Sequence, residues 1–135
     1  MRVVLDTNVI VAALKSSTGA SHEILRLANL GAIQPALSVS LITEYEDVLH
    51  RPDMEIPLST SQIDAVLDRL CKISINQAIH FIWRPFLPDP KDDMVFEAAL
   101  AASAPFIITF NDKDFKPVTS MGIKALKPRD FLLEL

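Results

Sequence analysis

The order of hydrophobic and polar positions predicts strands that alternate with helices. Short apolar runs, typical of buried strands, occupy the segments 2–5, 33–38, 106–109 and 123–126. Apolar residues at helical spacing predict helices over 9–14, 22–29, 40–50 and 92–102, and from 129 onward. A further helix is expected to be capped within 59–61 and to run to about 72. Ser21 is expected to cap the second of these helices. The apolar and aromatic segment 78–83 suggests a further strand or extended edge.

Alternating strands and helices also predict the fold class. Such strands pair in parallel through right-handed crossovers, with helices packed on the sheet. We therefore expect an α/β fold with three α/β/α layers around a central, mostly parallel sheet. At 135 residues the chain can bury one core but is short for two, so residues 1–135 are interpreted as a single domain. Ligands of such sheets bind beyond the carboxyl ends of the strands.

Composition and charge restrict the function classes. A formal net charge of -4 argues against a protein that holds nucleic acid by a broad basic surface. Cys71 is the single cysteine, so an internal disulfide is excluded and a reducing compartment is favoured; its apolar helical pattern predicts burial. The first apolar run ends at Asp6, and the apolar stretch 97–110 is shorter than a bilayer helix. We therefore expect a cytoplasmic protein with no membrane segment.

Oxygen-bearing side chains occur where the pattern ends predicted strands or begins predicted helices. Carboxylate and amide oxygens are the ligands that Mg²⁺ and Mn²⁺ prefer, and such ions support hydrolysis of phosphodiesters. The carboxyl ends of parallel strands meet at one edge of a sheet, so these side chains are expected to lie together. The candidate metal ligands are Asp6, Glu44, Asp92, Asp93, Asn111 and Asp112.

Each acid also has an ordinary structural interpretation. Asp92 and Asp93 suit a helix N-terminus, where negative charge is favourable. Glu44 lies in an acidic stretch of helix and could be a solvated position, and Asp112 suits a turn. Asp6 is harder to explain in this way, because a carboxylate directly after a buried run lies where an unpaired charge is costly.

Four motifs, taken in their order along the chain, resemble the PIN-domain family. They are the segments 4–9, 41–45 followed by 48–49, 89–93, and 108–111 with 114–115. The match runs from Val3 to Phe115 and is closest to the VapC-like toxins of toxin–antitoxin pairs. The resemblance implies an endoribonuclease that uses Mg²⁺ or Mn²⁺ to cleave single-stranded RNA. It also implies an antitoxin protein as partner and a homodimer.

The resemblance assigns roles to individual residues. Asp6 and Glu44 match the first two acids of the family's site, and the third falls on Asp92 or Asp93, with Asp92 favoured. The fourth falls on Asn111, where many members carry Asp, so the affinity for a second metal ion is in question. Asp112 follows directly and is the candidate to compensate. These four acids, Asp6, Glu44, Asp92 and Asp93, are the candidate catalytic residues.

Other residues are expected to support the acids or to hold substrate. Thr7 and Asn8 match polar residues that brace the first acid in the family, and Thr109 is assigned the same bracing role. The candidates for contact with the RNA backbone are Arg51, Lys91 and Lys113, although solvated charge is the ordinary interpretation of each. The alternatives to a ribonuclease are a PIN-like module that binds RNA or protein without cleavage, and a structure-specific DNA nuclease.

Overall fold

Parallel strands form the centre of the fold in a computed structural model that describes residues 1–79, 84 and 86–135. Within these residues the sheet has five strands, in the order β3-β2-β1-β4-β5, and every neighbouring pair is parallel. The predicted α/β fold around a parallel sheet is therefore confirmed. The strands are β1 (Arg2–Leu5), β2 (Gln34–Leu37), β3 (Ile75–Asn76), β4 (Phe106–Ile108) and β5 (Lys124–Leu126).

Helices occupy the connections between the strands, because a parallel neighbour is reached only by a crossover from one end of the sheet to the other. Two 3-10 helices, Pro52–Met54 and Asp112–Met121, add short turns outside the α-helices. None of the described helices is long and apolar enough to cross a membrane. The α-helices are α1 (Thr7–Lys15), α2 (Ala20–Asn29), α3 (Val39–Leu49), α4 (Thr60–Ile73), α5 (Pro90–Ala101) and α6 (Pro128–Leu133).

The central position of β1 determines where the site can form. β1 lies between β2 and β4, and its last residue, Leu5, is in register with Ile108 of β4. Asp6 and Thr109 follow these two residues, so they emerge side by side at the carboxyl edge of the sheet. Their neighbours in β1 and β4 are almost wholly buried. The edge is therefore fixed by the core itself.

Helix α5 packs against three strands of this sheet. Its residues Val95, Phe96, Ala98 and Ala99 are all buried. Small alanine side chains let the helix approach β1, β2 and β4, and the apolar face extends around much of its circumference. Close packing fixes the start of α5, where the acidic pair lies, relative to β1.

Three sequence expectations are wrong or lie outside the described residues. Ser21 does not cap α2; the helix begins at Ala20 behind Gly19, and Ser21 is buried inside it. Cys71 is exposed, because the buried stripe of α4 follows Ile63, Leu67 and Leu70 and turns the next residue outward. The expected strand at 78–83 falls largely on residues 80–83, which are outside the described residues.

Candidate active site

Asp6 occupies the centre of the carboxyl edge and has two structural partners. It is the N-cap of α1, and its Oδ1 accepts a hydrogen bond from the Thr7 backbone N–H at 2.8 Å. Its Oδ2 accepts a hydrogen bond from the Thr109 hydroxyl at 2.7 Å. Both oxygens are therefore oriented from opposite sides, by α1 and by the end of β4. The side chain has little freedom to rotate away from the edge.

A short hydrogen-bond chain extends this support to the next loop. The Asn111 backbone N–H donates to the Thr109 hydroxyl oxygen at 3.0 Å, and Thr109 in turn donates to Asp6. The Asn8 side-chain oxygen accepts from the Phe110 backbone N–H at 3.4 Å. The residues expected to brace Asp6 thus lie around it. Thr7 contributes its backbone and Thr109 its side chain, whereas Asn8 contacts the loop after β4.

Helix α3 brings Glu44 to the same edge and anchors it through its neighbour. Ser38 caps this helix by accepting from the Leu41 N–H at 3.2 Å, which fixes its start directly after β2. The buried Tyr45 hydroxyl donates to the Leu5 backbone carbonyl at the end of β1. Burial raises the pKa of Tyr45 well above its ordinary value, and the Asp6 charge raises it further. Tyr45 is thus a neutral donor that ties α3 to β1.

The beginning of α5 supplies two further acids. Asp89 is the N-cap, and its Oδ1 accepts from the Lys91 backbone N–H at 3.0 Å. Pro90 takes the first helical position, where its fixed φ suits the helix and its missing N–H is no loss. Asp92 follows in the first turn and is buried. Asp89 and Asp92 are three residues apart, so they are neighbours on one side of the turn.

These elements meet around a pocket of about 270 Å³. Besides Thr7 and Asn8, five oxygen-bearing side chains form its polar side, and four of these five are carboxylates. The apolar side is formed by residues such as Val11, Val48 and Met54. The five are Asp6, Glu44, Asp89, Asp92 and Asn111.

Electrostatic repulsion is concentrated on two of these acids. Burial raises the pKa of Asp6, and the charges of Glu44 and Asp89 add to it, whereas the hydrogen bonds from Thr109 and Thr7 lower it. The pKa of Asp92 rises from 3.8 to about 7, first through burial and then through Asp6, Asp89 and other nearby acids. The helix N-terminus favours a charged Asp92 by only about 0.3–1 kcal/mol, so burial and repulsion dominate.

Asp93 has a different environment from Asp92. It is fully buried, and its Oδ1 accepts from the backbone N–H groups of Leu87 at 2.9 Å and Phe86 at 3.3 Å. Asp93 is not among the residues that line the pocket. In the structure Asp92 lines the pocket, whereas Asp93 holds the backbone at Phe86 and Leu87, just before α5.

Three other candidates lie away from the pocket lining. Asp112 is half-buried, 3.9 Å from the Lys127 ammonium. Arg51 pairs with Asp47 at 2.6 Å on the exposed side of α3. Lys113 is exposed and, like these two, does not line the pocket. Lys91 is the one basic residue among the described residues that line the pocket. Of the residues expected to contact substrate, Lys91 alone is thus brought to the acids.

Asp89 is a pocket residue that the sequence analysis did not single out. In the sequence it lies within the acidic motif at 89–93 and is not among the predicted metal ligands. Its signal was present in the Asp-Pro pair, since an N-cap followed by proline marks a helix start. That helix start places the residue three positions before Asp92. The spacing would have indicated a shared side of the turn.

Hard divalent cations suit the chemistry of the pocket, since the described residues of its lining offer carboxylate, amide and hydroxyl oxygens as possible metal ligands. Over the described ranges, no three His, Cys, Asp or Glu side chains are arranged to hold one ion directly. Mg²⁺ keeps several of its waters and is usually bound through one or two carboxylates. The pocket is therefore compatible with a largely hydrated ion rather than with a closed cage of ligands.

Comparison with known proteins bears on the fold and the family of the chain. No curated protein shows significant sequence similarity to the chain. The crystal structure of VapBC2 from Rickettsia felis, bound to a DNA fragment from their promoter, contains a chain with a TM-score of 0.62 and 18% identity, covering 93% of this chain and 97% of that chain. At this identity the likeness shows the fold alone. The model of the PIN domain matches residues 2–113, a range that contains every acid of the pocket. The chain belongs to the PIN domain family.

Proposed function

We propose that the protein is a divalent-metal-dependent endoribonuclease that hydrolyses single-stranded RNA, with Mg²⁺ or Mn²⁺ as its ion. The observation that carries this proposal is the meeting of Asp6, Glu44 and Asp92 around one pocket at the carboxyl edge of the sheet. They come from three elements, and two of them have raised pKa values. Folding alone gains nothing from such repulsion, whereas a bound cation would offset it.

The roles of the acids follow from their burial and their partners. Asp6 and Asp92 are the buried pair, and we assign direct contact with the ion to them. Glu44 and Asn111 lie at the same pocket with more exposure, and we assign them contact through water. When bound, a divalent ion supplies positive charge that activates water and stabilises the anionic transition state of phosphodiester hydrolysis.

Lys91 is our candidate for holding the substrate. Its side chain lines the pocket beside Asp92, and an ammonium group binds phosphate as a mobile point charge. A net charge of -4 leaves the surface without a general attraction for RNA. We therefore assign backbone binding to this lysine first. Arg51 and Lys113 stay predictions for contacts farther along the strand.

We further propose that the protein is the cytoplasmic toxin of a toxin–antitoxin pair. Support comes from its family and from the shared fold of the VapBC2 structure from Rickettsia felis. The expected partners are an antitoxin protein and a second copy of the chain. Expression of the chain alone should arrest growth of its host. Co-expression with the product of an adjacent small gene should restore growth and yield a stable complex.

The nuclease proposal is tested with Asp6→Asn. Asparagine keeps an oxygen that can cap α1 and a polar group beside Thr109, so the variant should fold. It removes the charge, and we expect cleavage of a labelled single-stranded RNA in Mn²⁺ to fall at least about a hundredfold. Chelation of the metal by EDTA should abolish cleavage by the wild type. Circular dichroism and thermal melting serve as the folding controls.

Three results would overturn the proposal. Wild-type cleavage that persists in EDTA would remove the metal ion from the reaction. RNA binding without cleavage in any divalent metal would identify a binding module. Preferential cutting of branched or single-stranded DNA would identify a DNA nuclease.

A further inference from the structure

Asp89 combines two properties that an ordinary helix cap does not need. It caps α5 through Oδ1, which accepts from the Lys91 N–H at 3.0 Å, and it also lines the pocket. The residue is exposed, so its other oxygen is open to water. Among the described residues that oxygen has no hydrogen-bond partner. One carboxylate oxygen thus serves the helix, and the second is available at the mouth of the pocket.

A cap alone does not explain the negative charge. Asparagine and serine cap helices as well as aspartate does. The charge of Asp89 acts unfavourably on both Asp6 and Asp92, because it adds to the repulsion within the pocket. A neutral cap would avoid this penalty and would give up only a weak attraction to the helix N-terminus. The charge therefore indicates a role toward something positive in the pocket.

The geometry of the turn directs Asp89 toward the same point as Asp92. The Asp92 backbone N–H donates to the Asp89 carbonyl at 3.0 Å, so the two residues belong to one tight turn. Pro90 fixes the backbone between them. The N-cap side chain and the third helical residue face each other across such a turn. Asp92 is buried and Asp89 is exposed, which gives an inner and an outer carboxylate.

We propose that Asp89 is a further ion-binding residue of this site, one that accepts hydrogen bonds from the waters of a divalent cation held deeper in the pocket. The inference rests on the proposed function, because it needs a cation at Asp6 and Asp92. A largely hydrated ion presents waters whose hydrogens need acceptors. Asp89 supplies an acceptor at the solvent side, opposite the buried acids. It also adds negative charge where Asn111 contributes none.

The test measures Mn²⁺ binding to the full chain without RNA, by the loss of the electron paramagnetic resonance signal of free Mn²⁺. Asp89→Asn and Asp89→Ser keep the cap and remove the charge. We expect each to weaken Mn²⁺ binding about tenfold, the lower range for loss of an outer partner of a metal site. Asp114→Asn is the matched control, since Asp114 also repels Asp92 but does not line the pocket. It should weaken binding by less than about threefold.

The outcomes separate this inference from the proposed function. Equal effects of Asp89→Asn and Asp114→Asn would show that only distant charge matters, and would overturn the role of Asp89. Unchanged binding by both Asp89 variants would do the same. Wild-type protein that binds no Mn²⁺ would overturn the proposed function itself. Thermal melting in EDTA checks that the variants are folded. If weakened binding occurred only in a variant whose melting temperature also fell strongly, the cause would be a defective cap, and the role of Asp89 as an acceptor would be overturned.

Discussion

Replacing Asp92 by asparagine should stabilise the metal-free protein while removing its function. Asp92 is buried at the start of α5, and its pKa is raised to about 7 by burial and by the charges of Asp6, Asp89, Asp114 and Asp93. Asparagine has nearly the same shape and carries no charge. The substitution therefore removes the repulsion without opening a cavity.

The size of this stabilisation follows from the change in the acid dissociation constant of Asp92. Each tenfold change in the dissociation constant corresponds to about 1.4 kcal/mol. A pKa that rises from 3.8 to about 7 would then be worth about 4 kcal/mol if it were fully realised. The pocket is open to solvent, which screens the repulsion. We therefore expect a gain of about 1–2 kcal/mol in the free energy of unfolding at pH 8.

The sign of the pH dependence is fixed by the direction of the shift. The unfolded chain releases the Asp92 proton near its ordinary pKa of 3.8, and the folded chain releases it near 7. Between these values the folded state binds more protons, so its stability falls as the pH rises. Above about pH 7 Asp92 is ionised in both states, and the stability of the folded state falls no further on its account. The difference in the free energy of unfolding between Asp92→Asn and the wild type should thus grow from pH 5 to pH 7 and then stay constant.

Urea unfolding in EDTA, followed by circular dichroism at pH 5, 6, 7 and 8, measures this difference. Asp68→Asn, on the exposed side of α4, is the control and should show no such trend. Millimolar Mg²⁺ should stabilise the wild type by mass action and leave Asp92→Asn unchanged. The reasoning would be refuted if Asp92→Asn were less stable than the wild type at pH 8, or if its advantage did not vary with pH.

Further predictions concern the supports of the site. Asp93→Ala removes the acceptor for two connector N–H groups, so it should lower the free energy of unfolding by about 1–3 kcal/mol in urea titrations, whereas Asp93→Asn keeps an acceptor oxygen and should retain most of the cleavage. Tyr45→Phe removes the buried donor to the end of β1 and should cost about 1–3 kcal/mol by the same measurement; a loss below about 0.3 kcal/mol would show that the bond is unimportant. Lys91→Ala should raise the KM for RNA about tenfold at low salt with a smaller effect at high salt, while Arg51→Ala, outside the pocket, should change KM less than twofold.

Much of the fold could be predicted because its strands have strong local signals. β1 is a run of β-branched and apolar residues closed by an acid, and the pattern located it without error. β3 is only two residues long, and its apolar content does not distinguish it from a loop. Ser21 shows a further limit, since a serine that looks like a cap by composition is buried in the first turn of the helix. Such placements depend on packing that no local pattern records.

The site was predictable in its elements but not in the direction of its side chains. Parallel strand ends explain why Asp6 and Asn111 meet, and the spacing after β2 explains Glu44. The choice between Asp92 and Asp93 depends on where α5 begins, because one residue along a helix rotates a side chain by about 100°. The cap at Asp89 settles that start. Sequence spacing alone does not determine the first residue of α5 to better than one position.

The rigid start of α5 limits how related chains can vary in length. Asp89 caps the helix, Pro90 fixes its first turn, and Asp92 reaches the pocket one turn later. An extra residue between 89 and 92 would rotate the Asp92 side chain away from the pocket, even if every other residue were unchanged. Insertions and deletions should therefore be absent from the three positions that follow the cap.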